Sequence, residues 1–266
     1  MGLSYDTNHY QIPRGRVFFD RFDALGAKTG ERYLGNCPGF TVAIKSEKAE
    51  HYSSESGLRQ KDLSIVTQVD RTGTLTVDNL SLDNLALFIA GELATLMQSA
   101  DSEVTEELDV LQGRYYQLGV TEQNPVGARD ISGLVVQATD SSATRYEEDE
   151  DYEVDEALGR VRILTGGDIA PLGTAETVSF TYAQAGTSWD QAATSTVSEL
   201  TGAIRFVADN ASGANRDVYM PSVSLAPTGE MKLIADDTDV NAMEFTIDIL
   251  TPTNGAAIYC SGRPVA

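Results

Sequence analysis

Apolar and polar residues alternate with a period of two along most of this chain, the signature of half-buried β-strands. Residues 39–47, GFTVAIKSE, set Phe40, Val42 and Ile44 against Thr41, Ala43 and Lys45. Residues 15–23, GRVFFDRFD, mix aromatic and charged positions. Residues 63–80, LSIVTQVDRTGTLTVDNL, read as two alternating strands about a turn at Arg71-Thr72-Gly73. Before them, residues 51–62, HYSSESGLRQKD, are polar, carry one glycine and show no apolar period, which predicts a long loop. Between residues 110 and 184 the segments YYQLGV, SGLVVQA, RVRIL and AETVSFTYA are short and separated by turns carrying Gly, Pro and Asp. That spacing suits a small β-sandwich. A looser stretch, residues 185–197, leads out, and strand character returns in GAIRFVAD, YMPSVSLAP, GEMKLIAD and NAMEFTIDIL.

One segment changes period. In SLDNLALFIAGELATLM, residues 81–97, Ser81 suits an N-cap and Asp83 the first helical turn. Leu85, Phe88, Ile89 and Leu93 then fall at helical spacing, so one stripe is apolar and should pack on a sheet. The polar residues 98–109, QSADSEVTEELD, read as a connector.

The most conspicuous charge pattern is YEEDEDYEVDEALGRVRIL, residues 146–164. A calcium loop of the D-x-[DN]-x-[DN]-G type needs a glycine at position 6 and a glutamate at position 12. Counting from Asp149 those places hold Val154 and Arg160, and from Asp151 they hold Glu156 and Arg162. A hairpin accounts for the pattern better. With a turn at residues 156–159, Tyr152 opposes Ile163 and Val154 opposes Val161 on an apolar face. Glu153 then opposes Arg162 and Asp155 opposes Arg160 on the other. Cross-strand opposite charges contribute roughly 0.2–1 kcal/mol each. The remaining acids, Glu147 to Glu150, form a solvated flank.

Composition sharpens this picture. The chain has 266 residues, 41% of them hydrophobic, enough for one large β domain or two smaller ones and too many for a disordered chain. Its 19 basic and 40 acidic residues give a net charge of −21, which repels nucleic-acid phosphates and anionic membranes and excludes sequence-specific DNA binding. Residues 105–188 hold 5 basic and 16 acidic residues, a charge shift that marks a module inserted between two parts of another domain. Cys37 and Cys260 fit neither a zinc pair nor a disulfide framework and read as two thiols in a reducing compartment, with a bridge between them left open. The polar start, MGLSYDTNHY, lacks the apolar core of a signal peptide, and Asp6 counts against myristoylation at Gly2. The longest strongly apolar stretch, residues 85–91, is far short of a membrane helix, so the chain reads as a soluble protein made in the cytoplasm.

Catalytic signals are thin. The histidines are His9 and His51, in no metal-ligand spacing, and no G-x-S-x-G, Walker A loop or G-x-G-x-x-G occurs. Gly166-Gly167 reads as a turn. Asp236 and Asp237 are adjacent, so on a strand they would point to opposite faces, and they too read as a turn. The expectation is a protein that is not an enzyme, with no cofactor and no metal site.

Residues 30–95 carry a recognisable pattern: a Y-x-G-x-x-P-x-F lead-in, a strand ending in E-H-Y-S-S, a polar loop, a strand pair and a D-N-L-A-L helix. This resembles the major tail tube proteins of long, non-contractile bacteriophage tails, and the likeness returns near residues 202–234. The middle segment resembles the extra Ig-like β-sandwich domains that some such phages carry on their tubes. The resemblance implies a mainly β fold: a tail-tube β-sandwich or half-barrel with one flanking α-helix, formed by residues 1–107 and 186–266. A small β-sandwich, residues 108–185, is inserted and faces outward. It also implies six copies in a ring, their sheets joined into an inner barrel, and rings stacked into a tube through which genomic DNA passes without specific binding. Tape measure, tail terminator and distal tail proteins are the implied partners. The location is the virion tail, after assembly in the host cytoplasm.

On that reading, Thr41, Ala43, Lys45, Thr67, Asp70, Thr74 and Thr76 lie near the channel. Ser53, Ser54, Glu55, Ser56, Arg59 and Lys61 reach the neighbouring ring, and Leu85, Phe88 and Ile89 pack the helix on the outer side of the sheet. The inner tube of a contractile tail is a close relative, disfavoured because a sheath would leave little room for the extra module. Two readings from other classes stay open. One is a surface-displayed β-sandwich that binds carbohydrate or acts as an adhesin, against which stands the single tryptophan, Trp189. The other is a glycan-active enzyme.

Overall fold

The computed structural model describes residues 10–55, 57–140, 142–194, 200–236 and 238–263. The fold is mainly β. In chain order the elements are β1 (Gly15–Arg21), β2 (Arg32–Tyr33), β3 (Gly39–Ser53), β4 (Gln60–Val77), α1 (Leu82–Phe88) and β5 (Gly91–Gln98). Then come β6 (Asp101–Val110), β7 (Tyr115–Gln117), β8 (Ile131–Ala138), β9 (Arg145–Tyr146), β10 (Tyr152–Asp155), β11 (Arg160–Ile163) and β12 (Glu176–Gln184). The last are β13 (Thr187–Thr194), β14 (Leu200–Ala208), β15 (Arg216–Thr228), β16 (Met243–Ile249) and β17 (Tyr259–Gly262). The chain divides into one unit of residues 1–94 and 192–266 and a second of residues 95–191, and a two-stranded ribbon of β5 and β13 carries the chain between them.

The first unit is built on a sheet of order β2-β1-β14-β15-β16-β4-β3, with β17 paired to β15. β16 shows how the sequence makes it: Met243, Phe245, Ile247 and Ile249 are buried while Glu244, Thr246 and Asp248 are exposed. The antiparallel register carries this alternation to both neighbours, since Phe245 opposes Leu75 of β4 and Ile247 opposes Leu225 of β15. One face of the sheet therefore holds Leu75, Val77, Val223, Leu225 and Ile204 in a single core with Leu87 of α1. Each such side chain stabilises the unit by roughly 1.5–3 kcal/mol relative to exposure.

The helix is much shorter than its apolar spacing predicts. Ser81 does cap it, its hydroxyl accepting from Asn84 N at 3.3 Å, and Asp83 lies in the first turn. It ends at Phe88, and residues 91–98 join β5 instead. Gly91 lies so close to β13 that a Cβ there would meet Ala193 O at 2.3 Å. Strand pairing through a bare backbone has overridden helical propensity. For the same reason residues 98–109 are no connector, because β6 is an edge strand of the second unit, paired with β12 along its whole length. A boundary at residue 108 would cut through that strand.

The predicted turn at residues 71–73 is also absent. β4 runs unbroken for 18 residues. Gly73 sits mid-strand because a Cβ there would lie 2.7 Å from Thr41 O, so the glycine serves a close backbone approach instead of a turn. Residues 185–197 are likewise less loose than they read, since they contain β13. GEMKLIAD forms no strand among its described residues, and Asp236 sits in a bend. His9 and Asp237 lie outside the described residues.

The second unit packs a sheet of order β10-β11-β7 and one of order β6-β12-β8-β9 around a core that includes Val136, Tyr152, Val161, Ile163, Val178 and Phe180. Two buried tyrosines keep polar partners. Tyr182 donates to Glu106 and Tyr146 to Glu176, each at 2.9 Å. Burial, with these carboxylates alongside, pushes the Tyr146 hydroxyl up to about 12 and raises that of Tyr182 as well, so both stay protonated donors. The β10–β11 register is the one the acid run predicts: Tyr152 with Ile163, Glu153 with Arg162, Val154 with Val161 and Asp155 with Arg160. Arg162 bonds Glu153 at 3.1 Å. Asp155 instead accepts from Leu158 N at 3.0 Å, closing the turn. Glu147 to Glu150 are exposed, while Asp151 is buried and accepts from Glu147 N and Asp168 N.

Candidate assembly surface

The reverse face of the first unit's sheet is polar. Register places Thr41, Ala43 and Lys45 of β3 beside Thr74, Thr72 and Asp70 of β4. Glu244, Thr246 and Asp248 of β16 follow beside Thr76, Thr74 and Thr72, and Ser224 and Ala226 of β15 continue the row. Period two makes this unavoidable, since every residue between two core positions points away from the core. The surface is one of hydroxyls and carboxylates. Thr41 and Thr74 share a hydrogen bond of 2.6 Å, Gln68 donates to Asp70 at 2.8 Å, and Lys45 lies 3.6 Å from Glu47.

Six of the seven residues assigned to a channel thus share one face: Thr41, Ala43, Lys45, Asp70, Thr74 and Thr76. Thr67 does not follow. The register jumps from Glu47–Gln68 to Lys48–Val66, leaving Thr67 unpaired in a bulge with its hydroxyl on Glu47 O. A bulge leaves no trace in a period-two pattern until the partner strand is known.

α1 lies on the opposite, core side. Phe88 packs edge-on to Phe245 at 6.0 Å, and Leu85 and Phe88 are half-buried against the core. Ile89 drops out of the predicted stripe. It is the C-cap residue, half-exposed, its N–H donating to Leu85 O. The fully buried helix residues are Asn84, Ala86 and Leu87. Asn84 is the one the apolar spacing hides: it donates to Leu34 O and Asn79 O and accepts from Arg32, tying the helix to the segment before β3.

Beyond the sheet, β3 and β4 continue as a long ribbon. β16 pairs with β4 no further than Thr72. Residues 60–71 of β4, about 40 Å of strand at 3.3 Å per residue, have β3 on one side and no strand on the other among the described residues. The outer edge of β3 likewise has no strand partner among the described residues. Both faces of the ribbon are exposed, and it carries Ile44, Leu63, Ile65, Val66 and Val69.

Half of the predicted loop at residues 51–62 is therefore strand, since β3 runs to Ser53 and β4 begins at Gln60. The period was masked by a second bulge near His51 and by polar residues on both faces. Ser53 and Lys61 lie on the strands, and Ser54, Glu55 and Arg59 lie in the turn. Ser56 lies outside the described residues. At this end Arg59 and Lys61 both stand over the Tyr52 ring, and Lys61 pairs with Glu50, which also accepts from Tyr52 OH at 3.0 Å. The Lys61 hydrogen bond holds the Glu50 carboxyl below the usual glutamate value. His51 Nδ1 lies 2.6 Å from Asp62 Oδ1.

Among the described residues no group of three His, Cys, Asp or Glu is arranged to hold a metal, and no helix is long and apolar enough to cross a membrane. Cys37 and Cys260 are both free. Burial raises the Cys37 thiol to about 11, so it stays protonated at neutral pH.

A family model described as "Protein of unknown function UCP028589" matches residues 10–258, so the chain belongs to that family. No curated protein matches the chain.

Proposed function

We propose that this member of an uncharacterised family is a structural virion protein. Copies of it associate into stacked rings that form the tail tube of a long-tailed phage, a conduit for genomic DNA. The observation that carries the reading is the β3–β4 ribbon: two free edges, about 40 Å of strand and exposed aliphatic side chains, on a subunit with a net charge of −21. An isolated two-stranded ribbon is marginal in water, and open edges invite pairing. A ring in which each ribbon joins the sheet of the next copy covers both and leaves no edge.

The polar face then lines the bore. Threonine and serine hydroxyls with Asp70, Glu244 and Asp248 offer DNA few cations, and phosphate contacts are what confer affinity, so the polymer slides without sticking. The 54–59 turn docks on the neighbouring ring, and residues 95–191 form an accessory domain. Assembly takes place in the host cytoplasm and the product resides in the tail, ending against tape measure, terminator and distal tail proteins. The protein is not an enzyme.

Negative-stain microscopy of the concentrated, purified chain tests this. Rings or tubes about 100 Å wide are expected from six domains of ordinary size around a bore. A monomer at all concentrations would overturn the reading. Deleting residues 53–61 is expected to leave a folded subunit that no longer stacks, and normal tubes after that deletion would remove the docking role of the turn.

A further inference from the structure

The second unit carries five arginines against nineteen Asp and Glu residues, yet two of the five lie side by side on β11. Arg160 and Arg162 are two apart, so their side chains share a face. Both guanidinium groups stand over the ring of Tyr115 in β7, at 5.3 and 5.6 Å, and that tyrosine is 59% exposed. The three residues border a cavity of about 200 Å³ whose wall also includes the apolar Val154 and Leu158 and the carboxylates of Glu153, held by Arg162, and Asp155, held by Leu158 N.

The cations here are under-used. Arg162 spends one terminal nitrogen on Glu153. The register partner of Arg160 is Asp155, but that carboxylate is turned to Leu158 N, and among the described residues no carboxylate pairs with Arg160. An unpaired guanidinium beside an aromatic ring, in a strongly negative unit, is a selective place for an oxyanion. Its planar fork matches carboxylate or phosphate with two parallel hydrogen bonds. The ring and the two apolar side chains add a surface for C–H groups. The cavity is smaller than the roughly 300–1,000 Å³ of drug-sized pockets, which limits the occupant to one ring.

We infer that the Tyr115–Arg160–Arg162 cleft binds an acidic monosaccharide unit, a sugar ring carrying a carboxylate or phosphate. The oxyanion sits on Arg160, the free edge of Arg162 assists it, and the sugar ring lies against Tyr115. The site rests on the second unit alone and stands or falls separately from the tube reading.

Saturation-transfer NMR and equilibrium dialysis on the intact chain test it. Glucuronate and glucose 6-phosphate are the two acidic probes, and their ranking identifies which oxyanion is preferred. Methyl glucoside lacks the charge, while acetate and inorganic phosphate lack the ring. At least one acidic sugar is expected to bind with a dissociation constant on the order of 1 mM, the scale for a ligand of this size. The neutral sugar and the bare anions should bind at least about tenfold more weakly. Arg160→Gln, at an exposed position where the fold should tolerate it, is expected to weaken acidic-sugar binding at least about tenfold. Arg145→Gln, an exposed arginine of the same unit that does not border the cleft, should leave it unchanged. Equal binding of methyl glucoside, equal binding of the bare anions, an unaffected Arg160→Gln variant, or failure of both acidic sugars to saturate by roughly 20 mM would each overturn the inference.

Discussion

The protein contains two prominent hairpins that meet opposite fates. β10–β11 has four residues per strand, and its apolar side is consumed by its own unit: Val161 and Ile163 are 0% exposed. β3–β4 has 15 and 18 residues per strand, and its aliphatic side chains remain in water, Ile44 at 64% and Ile65 at 51%. Both are antiparallel, both have apolar positions at β spacing, and both carry a cross-strand ion pair, Glu153–Arg162 in one and Glu50–Lys61 in the other. The difference is supply. The second unit brings a second sheet to cover β11, whereas nothing among the described residues covers the ribbon. Exposed aliphatic surface and open strand edges of this kind invite pairing, and on the proposed reading the cover comes from a second copy.

The contrast can be broken most sharply in the cores. Ile163→Ala should destabilise the second unit by about 2–5 kcal/mol, read as faster hydrogen exchange across β11 and a lower melting temperature. Ile44→Ala in the unassembled subunit should stay within about 0.5 kcal/mol of the parent. If Ile44→Ala costs as much as Ile163→Ala, the ribbon is packed inside the subunit and needs no second copy.

The next test reads assembly. Ile44→Asp combined with Ile65→Asp should leave the circular dichroism spectrum unchanged and abolish every species larger than the subunit in sedimentation velocity. Wild-type assembly by the double variant would mean that the aliphatic residues are not the contact.

Smaller effects sharpen the comparison of the two ion pairs. A double-mutant cycle on Glu153 and Arg162 should give a coupling of roughly 0.2–1 kcal/mol in the unfolding of the second unit, and zero coupling would make the predicted register an apolar matter alone.

The smallest effect is at the ribbon's end. The carboxyl of Glu50 is held low by Lys61, so its folded value lies below its unfolded one. The contribution of that contact is complete above the ordinary glutamate range and is lost as pH falls through the lowered value. An NMR titration of Glu50 should show this, and Lys61→Gln should return Glu50 toward its ordinary value. An unmoved Glu50 would mean that the pair exerts no hold at this exposed site.

How much of this could be read from the chain depended on where each pattern found its partner. The β10–β11 register was legible because two independent signals, apolar pairs and opposite charges, agree on one alignment. That Thr41, Ala43, Lys45, Asp70, Thr74 and Thr76 share one face of the sheet was legible because period two needs no partner strand to hold. Thr67 was lost to a bulge, which is a property of two strands at once. The helix was misjudged beyond Phe88 because Leu93, Leu96 and Met97 keep helical spacing, and only the pairing with β13 overrides it. Gly73 and Gly91 read as a turn and as a helix interior, when each marks a backbone approach that no local pattern encodes.

The amino-acid sequence by itself determined that this is a β protein, which residues share a face, and that a strongly acidic module is carried within it. Those properties follow from side-chain alternation and charge, which are local. The tertiary structure decided where the modules divide, how far β3 and β4 run, and that their aliphatic residues lack cover. It also set two arginines beside Tyr115, one of them with no carboxylate partner among the described residues. Those depend on which distant strand supplies a hydrogen-bonding edge or a covering sheet, and that is fixed only when the whole chain has folded.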